Sequence, residues 1–422
     1  MRYLLGELPN GLRVVQVPMP GVQSCSVVAY IGLGSRYEGA GEAGVSHLIE
    51  HMLFKGTTLR PRSRDISEAV EGVGGMLNAS TDKELTVYWT KTASEHVELC
   101  IDLLADMLRN SLLRRGDLAR EKQVILEELA MLADDPQDWV HVLADETLWP
   151  GQPIGREIAG TPESVGALNR RDVIRTMGRY YGPNNALIAV AGGIRDDAII
   201  PAVQRAFGDW EPVSVAHPTA AHIPEAGPRI RLERKPLEQT NICIVFPGMS
   251  RRHPGRWALH VLCTILGGGT SSRLFLRLRE KLGLVYDVQM STAHYSDTGS
   301  IVISAGMDGG NAERALDVIF EELRRVERRG IPAAELQKAK RFFRGRLLLG
   351  LEDTHSVASW FGGQLMLEDE LVGPEEAADA VDGITSRDLL RVARELLRPE
   401  SARVVAVGPT FEIGARERVA GA

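Results

Sequence analysis

Cysteine is scarce in this sequence. Cys25, Cys100, Cys243 and Cys263 are the only four, and none forms a Cys-x-x-Cys pair. That spacing argues against a disulfide framework and against cysteine ligation of a metal, and it fits buried thiols in a reducing compartment. Long apolar runs are missing too. No window approaches the roughly eighteen uninterrupted apolar residues of a membrane span. The N-terminus, Met1 to Pro20, breaks at Pro9-Asn10 and reads as a strand and turn, not a signal peptide. A cytoplasmic location is therefore expected. A basic excess is also lacking, with 49 Lys and Arg against 56 Asp and Glu and a net charge of −7. Phosphate contacts need clustered cations, so nucleic acid is not an expected partner.

What the sequence does hold is centred on Val45 to Thr57. At 3.6 residues per turn, His47 and His51 fall one turn apart on one helical face, with Glu50 beside them. Two neutral imidazoles suit Zn²⁺, and an adjacent carboxylate outside the ligand set can take a proton from water. Leu48, Ile49, Met52 and Leu53 would bury the other face. The same pattern also fits the polar side of any amphipathic helix, so a third ligand has to decide.

A helix that Asp117 can cap, predicted to run to about Leu132, carries the candidates Glu121, Glu127 and Glu128. Glu121 and Glu128 are two turns apart and border the stripe Val124, Ile125, Leu129 and Leu132, whereas Glu127 is rotated away by about 100°. A carboxylate on a core-directed face is costly unless it is paired or binds a metal.

Elsewhere, Asn10-Gly11 predicts a hairpin, Cys25 to Gly34 a buried strand, residues 96–109 an amphipathic helix, and Ala186 to Ala191 a strand. Asp135-Pro136 should cap and open another helix. Gly74 to Thr81 reads equally as a turn into a hairpin or as a substrate-facing edge that includes Asn78 and Ala79. Residues 210–228, rich in proline, read as a linker between lobes 1–209 and 229–422.

The second lobe repeats the first at an offset of 216 residues. Arg171-Asp172 returns as Arg387-Asp388, the strand ending at Gly192 as the one ending at Gly408, and Tyr30-Ile31-Gly32 as Phe246-Pro247-Gly248. The metal set is not repeated. At offsets of 213 to 216 His260 stands alone, with no Glu-His after it, and at an offset of 218 Arg346 falls where Glu128 would recur.

His-x-x-Glu-His followed after 76 residues by Glu128 resembles the M16 family of zinc metallopeptidases, the inverzincins. The chain is most similar to its short two-chain clamshell subfamily, which includes mitochondrial processing peptidase. The resemblance implies one Zn²⁺ per chain on His47, His51 and Glu128, Glu50 as general base, and Glu121 as a supporting carboxylate. It further implies that Asn78-Ala79 pairs with substrate backbone. By themselves, Arg279 reads as a helix-surface charge and Tyr286 as a strand residue with a buried ring. The resemblance instead sends both toward the scissile bond.

The fold implied is α+β, two homologous lobes each with an antiparallel sheet and helices on one face. The function implied is a metalloendopeptidase for short or unstructured peptides. A homodimer is the expected state, with a heterodimer with a metal-free homologue as an alternative assembly. The rival reading is a non-catalytic structural or partner subunit.

Overall fold

The computed structural model describes residues 1–224, 229–368 and 371–409; the last part of the linker stretch and residues 410–422 lie outside them. The chain forms two compact units. The first contains Met1–Leu129, Arg156–Thr219 and Leu347–Pro374; the second contains Ala130–Gly155, Ala220–Arg346 and Glu375–Ala422. Neither unit is continuous in sequence, so a single boundary within residues 210–228 does not describe the division. Within the linker stretch, residues 211–224 form no helix or strand. The Asn184 side chain holds Val213 through both backbone groups, at 2.8 and 2.9 Å.

The first sheet is built from β1 (Leu4–Glu7), β2 (Arg13–Pro18), β3 (Ser24–Ile31), β4 (Met76–Thr81), β5 (Thr86–Ala93) and β6 (Ala186–Gly192). Their order is β1-β2-β6-β3-β5-β4. All neighbours are antiparallel except β2 and β6, which run parallel. Strand side chains alternate, so β3 sends Val27, Ala29 and Ile31 into one core and Val28 and Tyr30 into another. Burial on both faces is why β3 and β6 read as unbroken apolar runs.

The second sheet contains β7 (Ile230–Arg234), β8 (Gln239–Pro247), β9 (Asp287–His294), β10 (Gly299–Asp308) and β11 (Arg403–Gly408), in the order β7-β11-β8-β10-β9. It reproduces the first sheet without a counterpart of β1, and its parallel pair, β7 with β11, occupies the place of β2 with β6. The repeat extends to the helix starts. Asn169 and Thr385, 216 residues apart, each form a capping box, with Asp172 and Asp388 at the third helical position.

Each sheet is antiparallel-rich with helices packed on it, as expected, and mixed by its parallel pair; one further helix lies on the opposite face of each. The physical reason is an exchange between sequence halves. The Thr354–Leu367 helix lays Val357 and Phe361 on Val28, Tyr30 and Ala189 of the first sheet. The Pro136–Leu148 helix, capped by Asp135 as expected, lays Val140, Leu143 and Ala144 on Cys243, Val245 and Val405 of the second. All four cysteines are buried and free. No helix among the described residues is long and apolar enough to cross a membrane.

Phe361→Ala tests the exchange. The ring is fully buried and packs 5.2 Å from Tyr3. Its removal is expected to cost about 3–5 kcal/mol in denaturant unfolding. A loss below about 1 kcal/mol would contradict this packing.

Candidate metal centre

The helix Val45–Leu53 buries Val45, Leu48, Ile49, Met52 and Leu53, which turns His47, Glu50 and His51 to the opposite side. It starts at Gly44, whose backbone is left-handed at φ 89°. A Cβ there would meet the Ala159 carbonyl oxygen at 2.3 Å, so only glycine fits. Gly56, at φ 121°, turns the chain beyond the helix end in the same way.

The Arg115–Asp134 helix supplies the other side. Its Ile125 and Leu129 pack into the core, and this fixes Glu121 and Glu128 beside the histidines. The Glu128 carboxylate stands 3.7 Å from His51 Nε2 and 4.0 Å from His47 Nε2. The three candidate ligand atoms lie within 4.8 Å of one another, and they form the one such triad among the described residues. Glu127 is exposed and takes no part.

These atoms fit a cation. Separations of 3.7 to 4.0 Å are too long for hydrogen bonds. His51 Nδ1 lies 3.2 Å from Glu121 Oε2, an acceptor, so Nδ1 carries the proton and Nε2 keeps its lone pair. Burial, with His51 adding to it, pushes the His47 pKa down to about 4, which leaves that ring neutral near pH 7. The His51 Nε2 lone pair, the neutral His47 ring, whose buried Nδ1 has no hydrogen-bond partner, and a carboxylate thus converge on one point.

Two residues that the sequence did not flag complete the surroundings. Lys55 binds the far oxygen of Glu121 at 2.8 Å and holds the carboxylate against His51. Thr81 Oγ1 donates to Glu50 Oε2 at 2.5 Å. Burial pushes the Glu50 pKa up, while the Thr81 bond and His51 pull it down and Glu128 pushes it up again. A threonine ending a strand and a lysine after a helix carry no sequence signal for these contacts.

Thr81 belongs to β4, an outer strand of its sheet. On the same strand Asn78 is exposed and Ala79 half-buried. The Ala79 N–H bonds Asn78 Oδ1 at 2.8 Å, on a strand whose other edge has no neighbouring strand among the described residues.

Arg279 and Tyr286 belong to the second unit. Arg279 is exposed and lies 5.1 Å from the Phe275 ring. Tyr286 is 53% exposed, which corrects the reading of a buried ring. It sits ahead of β9, where its N–H bonds the Gly306 carbonyl at 2.8 Å and its side chain is left in solvent. In the place equivalent to the metal set, the second unit has His260 and Arg346.

A family model described as Insulinase (Peptidase family M16) matches residues 13–162, and one described as Peptidase M16 inactive domain matches residues 167–343. An uncharacterized zinc protease of Mycobacterium leprae is 37% identical over 95% of this chain and 91% of its own length. The chain belongs to peptidase family M16. A crystal structure of a protease from Helicobacter pylori has a TM-score of 0.92 at 24% identity, covering 97% of this chain and 99% of that one. The structure titled peptidase M16 inactive domain from Pseudomonas fluorescens follows at 0.90 and 20% identity, covering 98% and 100%. These likenesses agree with a two-lobed M16 fold. The family model named for the inactive domain falls mainly on the second half of the chain, where the metal triad is absent.

Glu121→Gln measures the supporting carboxylate. A neutral amide holds His51 and Lys55 less firmly, so zinc affinity is expected to fall about 10- to 100-fold by chelator competition. Unchanged affinity would remove Glu121 from the site.

Proposed function

We propose that this M16 chain is a zinc-dependent metalloendopeptidase that cleaves short or unstructured peptides. The observation that carries the reading is the convergence of His47 Nε2, His51 Nε2 and the Glu128 carboxylate with Glu50 alongside. Zinc held by these three residues would supply Lewis acidity, acidifying water and polarising the scissile carbonyl.

The chain's own residues do the rest. Glu50, oriented by Thr81, accepts a proton from the attacking water and returns it to the leaving amine. Glu121 and Lys55 keep His51 in its working tautomer. The open side of β4 at Ala79 binds extended substrate through main-chain hydrogen bonds, which tolerates many sequences. Arg279 and Tyr286 steady the carbonyl oxygen as charge develops on it. In a homodimer they come from the second subunit, and one gene product then provides the whole site.

The experiment is hydrolysis of an internally quenched, unstructured peptide by the purified zinc-loaded chain. Cleavage that chelation abolishes and zinc restores is the expected result. No cleavage by protein of verified zinc content would overturn the self-sufficient enzyme in favour of a structural or partner-dependent subunit.

A further inference from the structure

The helix that presents His47, Glu50 and His51 has no side-chain cap at its own N-cap position, because that residue is Gly44. A helix start leaves backbone N–H groups without intrahelical partners. Here they are met from outside the helix. Glu38 Oε2 accepts from the Gly44 N–H at 2.8 Å, and Glu38 Oε1 accepts from the Ser46 N–H at 2.7 Å. One carboxylate thus closes on two amides of the helix start, and the second belongs to the residue directly before His47.

Glu38 is 5% exposed. A buried carboxylate is costly unless donors and positive charge surround it. The two amides and the positive end of the helix serve that purpose. Arg156 adds to it, donating at 3.2 Å to the backbone carbonyls of Glu38 and Gly39 and so pinning the loop. Lys83 in turn donates to the Arg156 carbonyl at 2.5 Å.

We propose that Glu38 is a positioning residue of the metal centre: its carboxylate fixes the start of the Val45–Leu53 helix and thereby sets His47, Glu50 and His51 for metal binding and turnover. The inference rests on the zinc reading of the site. Ser46 is the last clamped residue before the first ligand, so a slip there displaces His47 first. Burial pushes the Glu38 carboxyl up to about 7, with Arg156 as the charged group that opposes the shift. The clamp is accordingly ionised and closed above neutrality and loosens as protons bind below it.

The test uses full-length Glu38→Gln, which keeps size and one acceptor but turns an amide donor toward a backbone N–H. Zinc affinity by chelator competition is expected to fall about 10-fold. In the peptide assay kcat falls with KM unchanged, while the zinc-free melting temperature stays within about 3 °C of wild type. Zinc affinity and kcat both within about twofold of wild type would overturn the proposal, as would a fall in zinc affinity fully matched by lost stability. If the variant does not fold, amide exchange of the wild type decides. The Gly44 and Ser46 amides, held by Glu38 at 2.8 and 2.7 Å, should exchange well below their intrinsic rates at pH 8, and exchange of both at intrinsic rates would refute the clamp. A wild type that binds zinc in a Glu38-dependent way yet cleaves nothing would refute the peptidase reading and leave this one standing.

Discussion

Glu50→Gln is expected to keep its zinc and lose about 10³-fold or more in turnover of an unstructured peptide, within the range attributed to a positioned general base. Retention follows from geometry, since Glu50 lies outside the triad of His47, His51 and Glu128. The amide oxygen of a glutamine can still accept from Thr81, as Glu50 Oε2 does at 2.5 Å, so the helix keeps its place against β4. What is lost is the proton acceptor. A glutamine cannot take the proton of the attacking water or return it to the amine. Metal analysis and initial rates on the same preparation check both halves, and wild-type turnover with zinc present would remove Glu50 from the mechanism.

His51→Ala should lose zinc and turnover together. Two ligand atoms remain, and Glu121, whose near oxygen lies 3.2 Å from His51 Nδ1, keeps only its contact with Lys55. Wild-type protein is expected to melt at a higher temperature when zinc is added, because the metal binds the folded state in preference. The variant should show no such rise. Glu127→Gln is the control: one residue from Glu128 but rotated to an exposed face, it should leave zinc binding and activity at wild-type levels. A His51→Ala protein that still gains stability from zinc would place the metal elsewhere.

Much of this site was legible in the sequence because its parts obey local rules. His47 and His51 share a face because helices repeat every 3.6 residues, and the same rule puts Glu121 with Glu128 and turns Glu127 away. Arg171-Asp172 and Arg387-Asp388 mark the repeat because each Asp closes a capping box with a residue only three positions before it. Tyr286 was misread because a tyrosine next to a strand is as compatible with solvent as with a core, and the register of β9 with β10 decides between them. Where the covering helices pack was not legible. Asp135-Pro136 marks the start of the Pro136–Leu148 helix, but a capping signal does not say which sheet that helix covers.

The sequence by itself therefore determined the helical pairing of the histidines, the carboxylate seven residues from its supporter, the repeated lobes and the loss of the triad from the second one. The tertiary structure decided that Glu128 faces both imidazoles, that Thr81 holds Glu50, that Lys55 backs Glu121, and that Glu38 clamps the helix from the preceding loop. Periods and caps are set by backbone geometry over a few residues, whereas these contacts exist only once long-range packing has fixed separate elements side by side.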